Sequence, residues 1–106
     1  MTLHIISSSP YCANVIDLVL NRCAQNDGII LIQDGVYGVN HLPTLTKLND
    51  VHKTKNIHCY ALEDDMTARG SYSSKDNFIN NSSFIARVSV EDFVTLTLTH
   101  SASISW

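Results

Sequence analysis

Positive charge is scarce in this sequence and has no pattern. Seven Lys and Arg are scattered through 106 residues against ten Asp and Glu, leaving a net charge of −3. Binding to a phosphate backbone is driven largely by cationic side chains and counterion release, so a chain without a basic stripe is not expected to bind nucleic acid by itself. Nor is there an apolar run approaching the roughly 18 residues a membrane span requires. The opening MTLHIISSSP has neither the cationic nor the long apolar region of a secretion signal. Cysteine is sparse and odd in number: Cys12, Cys23 and Cys59 stand far apart with no C-x-x-C, which argues against a disulfide framework and a zinc site. The five histidines show no i,i+4 pair and no H-E-x-x-H, so metal ligation is unsupported. There is no G-x-G-x-x-G and no Walker loop, and no cofactor is expected. These absences lead to the expectation of one cytoplasmic domain over residues 1–106, long enough to bury its own core.

What is present is a globular composition, 44% hydrophobic and only 16% charged. Low charge with surplus apolar residues suits a chain that has part of its surface covered by a partner. Strand-like and helix-like segments alternate. LHIISSS (Leu3–Ser9) reads as a strand, with Ser9 as N-cap and Pro10 at the first position of a helix running to about Cys23. GIILIQ is a continuous apolar run, the pattern of a parallel strand buried on both faces. NHLPTLTKLNDVHKTK spaces Leu42, Leu45, Leu48 and Val51 for a second helix, and Asn56–Leu62 is a third strand. LEDDMTARG reads as a short helix with acids at its start and Gly70 as C-cap; the polar stretch 71–83 reads as a loop. FIARVSV is a fourth strand. In SVEDFVTLTLTH, period-two Leu/Thr alternation says strand, but a capping box of Ser89 and Asp92 says helix, and helix is the preferred reading. SISW supplies a last short strand. Alternation of this kind predicts an α/β domain with a mainly parallel sheet of four or five strands and helices on both faces.

Candidate chemistry is thin. Cys12 falls in the first turn of the predicted first helix, where unpaired N–H groups and the dipole favour thiolate, but no partner thiol or base stands near it in sequence. Cys59 sits inside a strand and reads as buried, and Cys23 lies at a helix end that disfavours thiolate. Asp34 ends an apolar strand, where parallel sheets often bind ligands. It also forms an Asp-Gly pair with Gly35, a turn-former, and no second carboxylate, Ser or Lys accompanies it.

Four segments in register carry a resemblance: HIISSSP, ILIQDGVYG, YALEDDMTARG and EDFVTLTLTHSASISW. Through them the sequence resembles the DsrH/TusB family. The resemblance implies a small cytoplasmic α/β subunit assembled with TusC-like and TusD-like chains as a dimer of heterotrimers. Such a complex accepts persulfide sulfur from a TusA-like donor and hands it to a TusE-like acceptor, for 2-thiolation of the tRNA wobble uridine. It also implies that the sulfur-carrying cysteine belongs to the TusD-like chain. Where some members hold a cysteine in the first helix, this sequence has Val19. The expectation is therefore a non-catalytic structural subunit. Asp34 and Gly35 would shape a strand-to-helix turn, Val36 and Tyr37 would help form a subunit contact, and Trp106 would serve as a core lid or a subunit contact. Its rivals are a sulfurtransferase carrying persulfide on Cys12, a subunit of DsrH-type sulfur oxidation, and a small-ligand module built on the Asp34 turn.

Overall fold

The computed structural model describes residues 1–11, 14–69 and 84–106. Five strands, β1 (Thr2–Ile6), β2 (Gly28–Leu31), β3 (His58–Leu62), β4 (Ile85–Val88) and β5 (Ala102–Ser105), form one sheet in the order β4-β3-β2-β1-β5. Every pairing is parallel. The helices are α1 (Val15–Arg22), α2 (Leu42–Lys55), α3 (Glu63–Ala68) and α4 (Val90–Thr99), with a 3-10 helix at Gln33–Asn40.

Chain direction decides which face each helix covers. From β1 the chain steps outward through β2 and β3 to β4, and α4 then carries it back past all of them to β5. Crossovers between parallel strands are right-handed, so reversing the direction of travel puts α4 on the opposite face from its predecessors. Packing follows this rule. On one face Ile6, Ile29, Leu31, Cys59, Ala61 and Ile85 meet Ile16 and Val19 of α1, Leu45, Leu48 and Val51 of α2 and Met66 of α3. On the other, Leu3, Ile30, Leu62 and Val88 meet Phe93 and Leu96 of α4, the one helix among the described residues that packs there.

Local chemistry explains most boundaries. β2 is buried at all four positions, as its unbroken apolar run demands. α2 carries Pro43 in its first turn and ends at Asn56 in the left-handed conformation (φ 55°). The α4 capping box is complete, with Asp92 N–H donating to Ser89 Oγ at 3.1 Å and Ser89 N–H to Asp92 Oδ2 at 3.3 Å. This reciprocal cap overrides the Leu/Thr alternation, whose hydroxyls instead bond back to carbonyls of their own helix.

One boundary differs from expectation. Ser9 does not cap α1, which starts at Val15 with Asn14 before it. Ser9 Oγ instead accepts a bond from the Tyr11 N–H at 3.2 Å, a local turn that competes with helix initiation. Cys12, Gly70 and the predicted loop at 71–83 lie outside the described residues.

Candidate functional site

The carboxyl ends of β1, β2 and β3 are where a fold of this kind presents its ligands, and Asp34 stands there. The chain leaves β2 through Gln33, whose φ of 49° is in the left-handed region, unusual for a residue with a side chain. This conformation is held in place: the Gln33 N–H donates to Asp65 Oδ2 at 2.7 Å. Arg69, directly after α3, donates from Nε to Asp34 Oδ1 at 2.8 Å and from Nη1 to Asp65 Oδ1 at 3.4 Å. Asp34, Asp65 and Arg69 thus form a clamp between the 3-10 helix and α3. One oxygen of the Asp34 carboxylate is engaged with the guanidinium, in an exposed ion pair.

Gly35 follows for a steric reason. A Cβ at this position would lie 2.2 Å from the Ile6 carbonyl oxygen, so the 3-10 helix can approach the end of β1 only with glycine there. Ile32 completes the contact, its N–H donating to the same Ile6 oxygen at 2.9 Å. The 3-10 helix turns three residues at a time, and that period sends Val36 and Val39 together into the core while Gly35 and Gly38 pass close to the neighbouring chain. The expected subunit contact at Val36 is corrected by this burial: the side chain is 0% exposed and presents no surface to another chain. Tyr37, beside it, is half-buried.

Between this helix and the β1–α1 segment is a small apolar pocket bounded by Ile6, Pro10, Val15, Leu31, Gly35 and Thr44. It has room for about one water. A substrate-sized ligand does not fit this pocket, and at the Asp34 turn beside it the carboxylate is paired with Arg69 but open to solvent.

Two of the three thiols lie among the described residues, both buried. Burial pushes the Cys23 thiol up to about 11, with Asp27 adding to the effect. It pushes Cys59 up to about 12. Burial thus disfavours the thiolate, the nucleophilic form, at both positions. Val19 is fully buried on α1. No group of three or more His, Cys, Asp or Glu poised for a metal occurs among the described residues, and none of their helices is long and apolar enough to cross a membrane.

Sequence reasoning missed a second polar cluster, at the opposite end of β1. His4 is 1% exposed and faces Asp27, with Nε2 to Oδ2 at 3.1 Å. Asp27 also accepts the backbone N–H of Thr2 at 2.9 Å and of Ala24 at 3.0 Å. Burial works to raise the Asp27 pKa, but these two N–H groups and the His4 ring outweigh it and hold the carboxyl below its ordinary value. The Trp106 indole N–H reaches His4 Nδ1 at 3.3 Å. Trp106 is half-buried and packs against the main core, in the manner of a lid. The signal was available: a histidine in an otherwise apolar strand needs a buried partner.

The surface is uneven. α4 has no buried residue, and Val90, Val94 and Leu98, at successive i,i+4 positions, are exposed to 49%, 52% and 79%. On the sheet beneath, Ile5, Ile32 and Tyr60 are only partly covered.

The family described as DsrH like protein matches residues 8–103. Among curated proteins, the chain is similar to Protein TusB of Pectobacterium parmentieri, 31% identical over 106 residues covering 98% of this chain and 99% of the relative. Protein TusB of Shigella sonnei is 32% identical over 108 residues with the same coverage. Among solved structures, the ychN protein of E. coli superposes with a TM-score of 0.68 at 14% identity, over 100% of this chain and 99% of that one. Protein Tm0979 of Thermotoga maritima gives 0.59 at 24%, covering 92% of each chain. These two likenesses confirm the parallel α/β fold. The family match spans β2, β3 and β4 and reaches into β5, the relatives are matched along nearly their whole length, and the chain belongs to the DsrH/TusB family.

Proposed function

We propose that this chain is a non-catalytic structural subunit of a TusBCD-type sulfur-relay complex serving 2-thiolation of the tRNA wobble uridine in the cytoplasm. One observation carries the reading: among the described residues, a single ten-residue helix, α4, packs on one face of a five-stranded sheet. Val90, Val94 and Leu98 are left exposed on α4, and Ile5, Ile32 and Tyr60 are only partly buried on the face it packs against, which suits a protein interface better than solvent. TusC-like and TusD-like chains are the partners family membership suggests, in a dimer of heterotrimers. Cys23 and Cys59 are too buried and too weakly acidic to carry sulfur, consistent with a subunit that holds other chains' thiols in position. In this reading the Asp34–Arg69 clamp and Gly35 are architecture, while Tyr37 and Trp106 stand at the margins of subunit contacts. The assembled complex would receive sulfur from a TusA-like donor and deliver it to a TusE-like acceptor.

The test is co-expression with TusC-like and TusD-like chains from the same genome, followed by size-exclusion chromatography. Co-elution in a complex is expected, and elution of this chain as a lone monomer refutes the proposal. A variant with all three cysteines replaced by Ala should support full thiolation. Loss of thiolation with the complex intact would instead point to persulfide chemistry on Cys12.

A further inference from the structure

The cluster at His4 has a hydrogen-bond pattern with a consequence of its own. Indole N–H can only donate, so the Trp106 bond at 3.3 Å requires a lone pair on His4 Nδ1. Asp27 accepts backbone N–H bonds from Thr2 and Ala24, and its Oδ2 lies 3.1 Å from His4 Nε2, which must then carry the proton. The arrangement fixes a neutral imidazole in the Nε2–H tautomer. A second proton can go only to Nδ1, where it meets the indole N–H head-on.

Trp106 is attached to more than this ring. Its backbone N–H donates to Ile5 O at 2.8 Å, its carbonyl accepts from Ser7 Oγ at 3.2 Å, and it follows directly on β5. β5 is exposed at all four positions and pairs with β1 on one side only. Trp106 thus anchors the far end of a strand otherwise held by its four-residue ladder to β1 and by the Ser101–Met1 bonds at its start. Among the described residues the groups around His4 are few. Asp27 faces it from the α1–β2 connection. Neither β2 nor β5 bears a titratable side chain. α1 contributes Cys23 at its end, and Lys55 of α2 reaches the Cys23 carbonyl at 3.3 Å. The remaining charges of α1 point elsewhere, Asp17 toward Lys47 at 2.7 Å and Arg22 to solvent.

We propose that His4 is a proton-operated latch on the last strand: neutral, it holds Trp106 and β5 against β1, and protonated, it expels the indole and loosens both. The inference depends on the fold alone and stands whether or not the sulfur-relay reading is right. Asp27 remains ionised throughout, since its pKa is depressed, and would pair with the imidazolium once formed.

Two measurements on the intact chain test this. Long-range nitrogen–proton NMR of the His4 ring at pH 8 is expected to show a pyridine-type Nδ1 and a protonated Nε2. The opposite tautomer, or an imidazolium at that pH, overturns the latch and needs no variant. Amide exchange of Ile104, Ser105 and Trp106, corrected for the intrinsic pH dependence, is then followed from pH 8 to 5. Protection is expected to fall by roughly two- to tenfold, the worth of one hydrogen bond. In Trp106→Phe, which keeps a ring but has no donor, that fall should vanish. Flat protection in the wild type, or an equal fall in the variant, overturns the proposal.

Discussion

The two faces of the sheet were built by the same chain to different standards. One is closed by α1, α2, α3 and the 3-10 helix, and its side chains interlock around Leu48, Val36 and Ile29, each 0% exposed. Among the described residues the other has only α4, which contributes the half-buried Phe93 and Leu96 and turns Val94 and Leu98 outward. The sequences of the helices differ accordingly. α2 has Leu45, Leu48 and Val51 on one face and polar residues elsewhere, while α4 spreads apolar residues around much of its circumference. The lesson is that stability of the domain and availability for assembly are located on opposite sides of one sheet. A helix that is apolar beyond its buried stripe needs a second neighbour.

The largest expected effect comes from breaking the closed face. Leu48→Ala should cost about 2–5 kcal/mol, because it opens a cavity that rigid strands cannot refill; urea unfolding followed by circular dichroism measures it. Gly35→Ala attacks the same face from its edge. The new Cβ would collide with the Ile6 carbonyl, and a loss of about 1–3 kcal/mol or more is expected, with the 3-10 helix displaced from β1 in a structure of the variant.

A smaller effect comes from the buried thiols of that face. Their folded-state pKa values, about 11 for Cys23 and about 12 for Cys59, are above the roughly 8.5 of an unfolded thiol. The native state therefore keeps protons that the unfolded chain gives up. Stability from this source is complete below the unfolded value and declines as pH rises through that window. The wild type should lose Tm faster between pH 8.5 and 10.5 than a Cys23→Ala, Cys59→Ala variant, with each curve normalised to its own value at pH 7. Equal slopes would contradict the burial assigned to these thiols.

The smallest effect on stability, and the sharpest contrast, is expected on the open face. Val94→Ser with Leu98→Ser should change the stability of the isolated chain by no more than about 0.5 kcal/mol per site, as exposed substitutions do. The same pair should abolish co-elution with partner subunits. A variant that unfolds the isolated chain would show that α4 belongs to the domain's own core, and that the two faces are not so different.

Much of this was legible in the sequence, for identifiable reasons. The run in β2 could only be a strand buried on both faces, and Ser89 with Asp92 marked the start of α4 against the apparent β alternation. The last strand was visible in SISW. What escaped depended on contacts between distant residues. The 3-10 helix was hidden because Gln33–Asn40 is too short and glycine-rich for a helical pattern, although Val36 and Val39 already stood three apart. Asp34 could be doubted as a catalyst from its lack of company, but its partner Arg69 is 35 residues downstream and no local rule connects them. The start of α1 was misjudged because Ser-Pro is as good a turn as it is a cap. His4 lies in a segment read only as a strand, and its partner Asp27 is 23 residues away, beyond the reach of any local rule.

The position of β5 also has a bearing on how the molecule comes into being. Thr2 is registered against Ala102, and the Ser101 hydroxyl reaches back 100 residues to the Met1 carbonyl. Strands β1 to β4 can be laid down in order as they leave the ribosome, each beside its predecessor. The free edge of β1, by contrast, waits for residues 102–105. Contacts of such sequence separation are slow to form, and an unpaired central edge is the kind of surface on which nascent chains stick to one another. Folding of this domain is therefore expected to finish only after synthesis of its last strand, and until then the growing chain exposes the flank of its first strand.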